Sequence, residues 1–242
     1  MASEYLKWKY RTVTPDHIAE LTPQQKRANW WYYHKWHVFL SVGLLALGVY
    51  LGGRVLGVGQ VIPDYQMAYI GSVPLPEDTT VALESALADL GTDCNGDGQV
   101  VVRLHQYVIG DGSGEGAMYA YASSARLMAD LDACDSYFFL LEDPETVQKN
   151  VQILRRLDGS LPEETDQDYE TCSLSWSECP VLCNLSLVEY TETILNQKIV
   201  GNNQERLASL FVARRGFWTE RTCANIEECD ILWDTITRGS DQ

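Results

Sequence analysis

The hydrophobic and polar positions of this chain change period along its length. Positions 38–53, VFLSVGLLALGVYLGG, run without a charge, and after Arg54 the apolar character resumes through Val61 and Ile62. Such a stretch reaches the ~20 residues needed to cross the hydrocarbon of a bilayer if Arg54 snorkels to an interface. Just upstream, NWWYYHKWH (29–37) sets Trp30, Trp31, Tyr32, Tyr33 and Trp36 beside Lys35. Amphipathic rings and a lysine are what a headgroup region favours, and a buried core helix has no need of them. A cleaved signal peptide would need a small-x-small site, and the nearest is Gly57-Val58-Gly59. The segment before the apolar run is also too long for the charged leader of such a peptide. No cysteine follows the run, so lipoprotein processing has no acceptor. The pattern predicts an uncleaved transmembrane helix over 38–62.

From position 65 short apolar runs alternate with amphipathic ones. YQMAYIG (65–71) reads as a strand closed by Gly71. EDTTVALESALADLG (77–91) reads as a helix, with Leu83, Ala86, Leu87 and Leu90 on one face, acids in the first turn and Gly91 past its end. QVVVRLHQYVI (99–109) alternates as a strand, with Val100, Val102 and Leu104 on one face and Arg103 and His105 on the other. MYAYASSARLMADL (118–131) is helical, with Tyr121, Ala125, Met128 and Leu131 as its expected apolar stripe. SYFFLLE (136–142) is a continuous apolar strand, suited to burial on both faces. DPETVQKNVQILRRLDG (143–159) predicts a helix with Asp143 as N-cap and Pro144 at the first helical position. The order β-α-β-α-β-α predicts an α/β domain of three layers around a mostly parallel sheet. From 160 to 186 the pattern breaks into a polar, acidic, cysteine-rich loop or insertion. Beyond it the spacing predicts a helix over 187–200, a strand near 210–213 and a closing helix over 226–238. At the other end, Thr14-Pro15-Asp16 and Thr22-Pro23 are helix starts in a short segment over 10–28.

Charge divides the chain in the same place. Residues 1–37 carry six basic side chains against three acidic ones, whereas residues 64–242 hold 11 basic and 31 acidic. The positive-inside rule then predicts a single-pass protein of the cell membrane, with a basic cytoplasmic tail (1–37) and an acidic extracytoplasmic domain (63–242). So acidic a domain repels phosphate backbones, which excludes nucleic acid as a partner. All seven cysteines (Cys94, Cys134, Cys172, Cys179, Cys183, Cys223, Cys229) fall in that domain. An oxidising compartment permits disulfides there, and an odd count leaves at least one thiol over.

DCNGDGQV (93–100) is the sharpest chemical motif. Asp93, Asn95 and Asp97 alternate, Gly98 permits a sharp turn, and Gln99 would present its backbone carbonyl, as in the front half of a calcium loop. The twelfth position, where a bidentate Glu belongs, is Leu104 inside a strand, so a complete EF-hand is excluded. A structural calcium ion on Asp93, Asn95, Asp97 and Gln99 would need an outside carboxylate from Asp89, Asp111, Glu115 or Asp135. It would tie the helix at 77–90 to the strand at 99–109. The alternative is a plain helix-to-strand turn that uses the same side chains to accept backbone N–H groups.

Cys179-Pro-Val-Leu-Cys183 has CxxxC spacing in a polar stretch, unlike a thioredoxin-type centre. Its expected use is structural: disulfides from Cys172, Cys179 or Cys183 to Cys223 or Cys229, pinning the 160–186 loop to the C-terminal segment. Of the four histidines only His105 lies in the outer domain, without a Ser or Cys nucleophile at a recognisable spacing. GDGSGEG (110–116) lacks the lysine of a phosphate loop and carries Asp111 and Glu115, which repel anions. No catalytic residue is assigned.

The order of elements ending in ARLMADLDACDSYFFLLEDPE resembles the first lobe of bacterial extracytoplasmic solute-binding proteins, a periplasmic-binding-protein lobe. In that family the strand after such a helix carries an Asp toward the ligand cleft, which the resemblance transfers to the neighbourhood of Asp132, Asp135 and Glu142. TPQQKRANWWYYHKWH before one span, DYQMAYIGSVPLPEDTTVALESAL after it and then DCNGDGQVVV are similar to a group of bacterial single-span envelope proteins over most of 20–158. That group has no established activity, so the resemblance implies an architecture and no reaction. About 180 outer residues cannot form two full lobes closing over a ligand. The function expected is a membrane-tethered, solute-binding-like module, non-catalytic, acting as a ligand sensor or as a partner-binding component of an envelope complex. Two alternatives stand beside it. One is an extracytoplasmic hydrolase-type enzyme using Asp132, Asp135 and Glu142 at strand ends, with His105 in the cleft; the other is a purely structural, calcium-stabilised surface module.

Overall fold

Thr22 and Pro23 open the structure as they open a helix in the sequence. The computed structural model describes residues 22–55, 61–110, 116–163, 167–194, 197–217 and 221–238, and the chain divides into two units, 1–60 and 61–242. The first unit is the helix α1 (Pro23–Val55). Gln25 N–H donates to the Thr22 hydroxyl at 3.4 Å and Thr22 N–H to the Gln25 side-chain carbonyl at 3.0 Å, a reciprocal cap. The aromatic belt and the charge-free run form one rod of about 50 Å at 1.5 Å per residue, so the helix starts well before position 38. It is long and apolar enough to cross a membrane, with none of its apolar window buried. Residues 10–21 of the expected N-terminal segment, and Asp111 and Glu115 in the glycine-rich loop, lie outside the described residues.

The second unit is built on a sheet of order β2-β1-β3-β7-β4. Its strands are β1 (Tyr65–Gly71), β2 (Val102–Val108), β3 (Phe138–Leu141), β4 (Ser173–Ser175) and β7 (Phe211–Arg214). β1 pairs in parallel with β2 and with β3, while β7 runs antiparallel to both β3 and β4. Four of five strands therefore point the same way, and the mostly parallel α/β expectation holds.

The helices are α2 (Glu77–Ala88), α3 (Ala117–Ala133), α4 (Pro144–Val151), the single turn α5 (Pro180–Cys183), α6 (Asn203–Leu207) and α7 (Ile226–Arg238). Strand alternation divides the core between two faces. Met67, Tyr69, Leu104, Phe138 and Leu140 face Leu83 and Leu87 of α2 and Leu232, Trp233 and Ile236 of α7. Ala68, Ile70, Tyr107, Phe139 and Leu141 face Leu127 of α3 and Val147 of α4. Helices thus cover both faces.

Three elements differ from expectation. Residues 187–200 form no helix; Tyr190–Ile194 (β5) and Gln197–Gly201 (β6) pair antiparallel as a separate hairpin. The run YTETI alternates β-branched and polar positions, which is a period of two. α4 stops at Val151, eight residues early, because Gln152 turns left-handed (φ 53°) and its N–H returns to the Gln148 carbonyl. Leu154 then bridges to Arg215 beside β7. On α3 the buried positions are Ala120, Ser123, Leu127 and Asp130, while Met118, Tyr121 and Met128 are exposed. Of the apolar stripe read from the sequence, Tyr121, Ala125 and Met128 face outward, while Leu131 packs against the core. Within the expected 160–186 loop lies β4, followed by a 3-10 turn (Trp176–Glu178) with a capping box between Ser175 and Glu178.

Candidate functional site

From β1 the chain passes through α2 to β2 on one side, then through α3 back across β1 to β3 on the other. Because α2 and α3 cover opposite faces, the connections diverge between the C-terminal ends of β1 and β3. Open α/β sheets place ligands in the crevice at such a switch point. Here the crevice encloses about 290 Å³. Ile70, Ile109 and Val147 form its apolar wall, and Ser72, Glu142 and Thr146 supply polar groups.

Two consecutive acids leave β3 into this space. Glu142 turns back to β1, accepting hydrogen bonds from the Ser72 N–H and from the Ser72 hydroxyl, the latter at 2.8–2.9 Å. A Cβ at position 71 would overlap the Tyr69 ring and approach Glu142 Oε2 to 2.8 Å, so glycine there permits the junction. Asp143 caps α4, accepting from Thr146 N–H at 3.0 Å and from the Thr146 hydroxyl at 2.7 Å. Those Thr146 donors hold its carboxyl below the usual carboxylate range. Glu142 also borders a neighbouring hollow of about 240 Å³ with Tyr69, Glu205 and Arg206. Burial pushes the Tyr69 hydroxyl up to about 12, the Glu142 charge adds to the rise, and Arg206 opposes it. Tyr69 donates to the Val73 carbonyl at 2.7 Å. The crevice presents fixed carboxylate acceptors against an apolar wall. Such acceptors can take hydrogen bonds from a donor-bearing solute.

The other sequence-marked residues lie elsewhere. Asp132 and Asp135 precede β3 and Glu142 follows it, a separation of about 20 Å at 3.3 Å per strand residue. The three acids expected to share a cleft are not brought together. His105 sits in mid-strand with Nε2 3.2 Å from the Gln66 side-chain carbonyl, outside the crevice lining.

In the 93–99 loop the side chains accept backbone N–H groups, as a helix-to-strand turn requires. Asp93 accepts from the N–H groups of Gly96 (2.6 Å) and Gly98 (2.8 Å), Asn95 from Asp97 N–H, and Asp97 from Gln99 N–H. The Gly98 donor, then the Gly96 donor, hold Asp93 below the usual carboxylate range. Among the described residues no group of three or more His, Cys, Asp or Glu side chains gathers to hold a metal ion.

None of the expected disulfides is seen among the described residues. Cys172 lies on the α3 face of the sheet, whereas Cys223 and Cys229 lie on the α7 face, so the sheet separates them. The thiols of Cys179 and Cys223 donate to the Ser175 and Ser136 carbonyls. Burial pushes each of these two thiols up to about 12, which keeps them protonated and unreactive.

Sequence reasoning missed three buried or half-buried acids at the opposite edge of the sheet. Asp64 accepts from the N–H groups of Cys94 (2.8 Å), Asn95 (3.2 Å) and Val101 (2.8 Å). Asp130 accepts from the Tyr107 hydroxyl and from both the N–H and the hydroxyl of Ser136. Asp230 accepts from the Tyr137 hydroxyl and pairs with Arg214 at 3.0 Å and Arg155 at 3.4 Å. An acid just before an apolar strand was the available signal for Asp64.

No protein-family model matches this chain, and no curated protein or solved structure matches it either. What the coordinates define is a mixed α/β domain with a mostly parallel sheet, in a chain that also carries one membrane-length apolar helix.

Proposed function

We propose that this chain is a membrane-tethered ligand-binding module, anchored by α1, with its basic tail in the cytoplasm and its acidic α/β domain outside. The observation that carries the reading is the crevice at the β1/β3 switch point, where Glu142 is fixed by Ser72 beside an apolar wall. A carboxylate only accepts hydrogen bonds, and the surrounding domain is strongly acidic. The ligand class is therefore a small solute rich in donors, an amine or a polyol. The resemblance to one lobe of solute-binding proteins is part of the same proposal, with the domain acting as a sensor.

The test is calorimetric titration of the full chain in detergent micelles with small amines and polyols, and with organic acids as the contrast. Saturable binding of a donor-bearing solute, weakened about tenfold or more by Glu142→Gln, is expected. Binding that is indifferent to Glu142→Gln would remove the crevice as the site. A second reading, a partner-binding component of an envelope complex, is favoured by the exposed Met118, Tyr121 and Met128 on α3, since such a stripe marks interaction surfaces. Affinity capture of the intact protein from membranes tests it. Loss of a captured protein on Tyr121→Glu is expected, and capture unchanged by that substitution counts against the stripe.

A further inference from the structure

Arg214 ends β7 and Arg215 follows it in the bridge to Leu154, and alternation along the extended chain sends them to opposite faces of the sheet. Both are deeply buried, at 5% and 6% exposure. Arg214 has a counter-charge: Asp230 at 3.0 Å, with the Leu157 carbonyl at 3.2 Å and the Trp233 ring at 5.4 Å, although its Nε is buried without a hydrogen-bond partner. Arg215 is less well compensated. Its Nη2 donates to the Leu131 carbonyl, and the Phe217 ring lies 5.8 Å away. Its Nη1 is buried without a hydrogen-bond partner, and among the described residues no carboxylate lies within 4.0 Å of it. A guanidinium does not lose its proton in a protein, so this charge is permanent. A buried charge without a counter-charge is strongly destabilising.

Arg215 forms part of the wall of a cavity of about 700 Å³, together with Leu131, Val151, Ile153 and Phe217. Arg221 and Asp132 also line it and pair with each other at 3.6 Å. We propose that this cavity is an anion site for a small organic monocarboxylate, whose carboxylate pairs with Arg215 and whose apolar body lies against Val151, Ile153 and Phe217. The volume falls within the range of small-molecule sites, roughly 300–1,000 Å³. A guanidinium N–H and a carboxylate oxygen form a charge-assisted hydrogen bond.

The surroundings set the charge at one. Arg221 already carries Asp132 and donates to its backbone carbonyl at 2.7 Å. α3 and α4 both end here, in left-handed caps at Cys134 and Gln152, and helix C-termini carry partial negative charge. A single negative charge balances Arg215, and a second would face two helix ends and Asp132. Phosphate dianions are therefore poor ligands for this cavity.

Titration of the full chain in detergent micelles tests the site, with benzoate as the probe, benzamide as its neutral counterpart and inorganic phosphate as the dianion. Benzoate is expected to bind saturably and to raise the unfolding temperature, with benzamide and phosphate inert at the same millimolar concentrations. Arg215→Met should weaken benzoate by about tenfold or more, and Ile153→Trp, which fills the cavity and leaves the arginine in place, should do the same. If Arg215→Met fails to fold, Ile153→Trp decides alone. No effect of benzoate on the wild-type chain, an equal effect of benzamide or phosphate, or benzoate binding retained in Ile153→Trp would each overturn the proposal. In that event Arg215 serves only to cap α3. Glu142→Gln should leave benzoate binding unchanged, which separates this site from the crevice at the other end of the strands.

Discussion

The two edges of the sheet are built on opposite plans. At the N-terminal ends of the parallel strands, acids bridge between elements. Asp64 holds the 94–101 loop to the start of β1, Asp130 of α3 holds the entry to β3, and Asp230 of α7 joins β3, β7 and the 155–159 turn. At the C-terminal ends the acids face a hollow: among the described residues Glu142 takes only Ser72 across the β1/β3 junction, and Asp143 takes only Thr146 on its own helix. The difference follows from topology. Connections that diverge at a switch point leave space beyond the strand ends, whereas the opposite edge is filled by returning helix ends whose polar groups need partners. A locked edge and an open edge predict different responses to the loss of one carboxylate. Arg215 is the exception on the locked edge, a charge that the edge itself does not answer.

The largest effect expected is at Asp64. Asp64→Ala orphans three backbone N–H groups in a site only 3% exposed, and each orphan costs about 1–3 kcal/mol. Urea unfolding should show a loss of about 4 kcal/mol, and hydrogen exchange should show Cys94, Asn95 and Val101 amides losing protection. A loss below about 1 kcal/mol would mean that this edge is not locked in the way described.

Next comes Asp230. Asp230→Ala strands Arg214, whose side chain is only 7% exposed, and breaking a buried pair from one side costs about 3–5 kcal/mol. Asp230 is itself 39% exposed, so solvent screening puts the expected loss at the low end, about 3 kcal/mol. Arg215→Met, made in the absence of any carboxylate solute, is the internal contrast. It removes a charge that has no carboxylate to lose, so it should be near neutral or stabilising. Equal losses from the two substitutions would abolish the distinction between the arginines.

On the open edge the effect is one of pH. The Tyr69 hydroxyl, ordinarily near 10, is pushed up to about 12 by burial and by Glu142. Between those values the folded state binds more protons than the unfolded state, so stability falls as pH rises from about 10 toward 12. Tyr69→Phe removes this contribution. Its alkaline unfolding limb should be shallower than the wild-type limb by up to about 1.4 kcal/mol per pH unit. Identical limbs would show that Tyr69 does not feel the crevice carboxylate or its burial.

Which of these features were legible beforehand depends on the range of the interactions that set them. The βαβαβα order of 65–151, the Asp143-Pro144 helix start and the 226–238 helix come from local period and capping, and they appear as read. The α3 stripe does so only at Leu131. Spacing alone puts Tyr121, Ala125 and Met128 on one face, but Asp130 finds Tyr107 and Ser136 as donors and draws the other face inward. Only tertiary structure supplies those partners. For the same reason Glu142 was legible as an acid at a strand end, whereas Ser72, 70 residues away, was not. In the 160–207 region short strands and single helical turns replace long periodic elements, and pattern has little to act on there. The thiols illustrate the same limit, since the positions of Cys179 and Cys223 along the chain say nothing of which backbone carbonyls they meet.

The smallest effect tests the open edge at its capping acid. Asp143→Ala removes the acceptor of Thr146 N–H at the start of α4, a loss typically of about 1 kcal/mol. Asn is as good an N-cap as Asp, so Asp143→Asn should recover most of it at neutral pH. The two caps part company in acid. The folded-state carboxyl of Asp143 lies below its ordinary value because of the Thr146 donors, so its contribution is complete above the unfolded value near 3.9. It is lost as pH falls through the lower folded value. An Asn cap has no such limb. Wild type and Asp143→Asn should therefore unfold alike at pH 7, with the wild type losing stability faster below about pH 4. Parallel acid limbs would mean that the charge at position 143 adds nothing to its hydrogen bonds, and that the open edge is held by geometry alone.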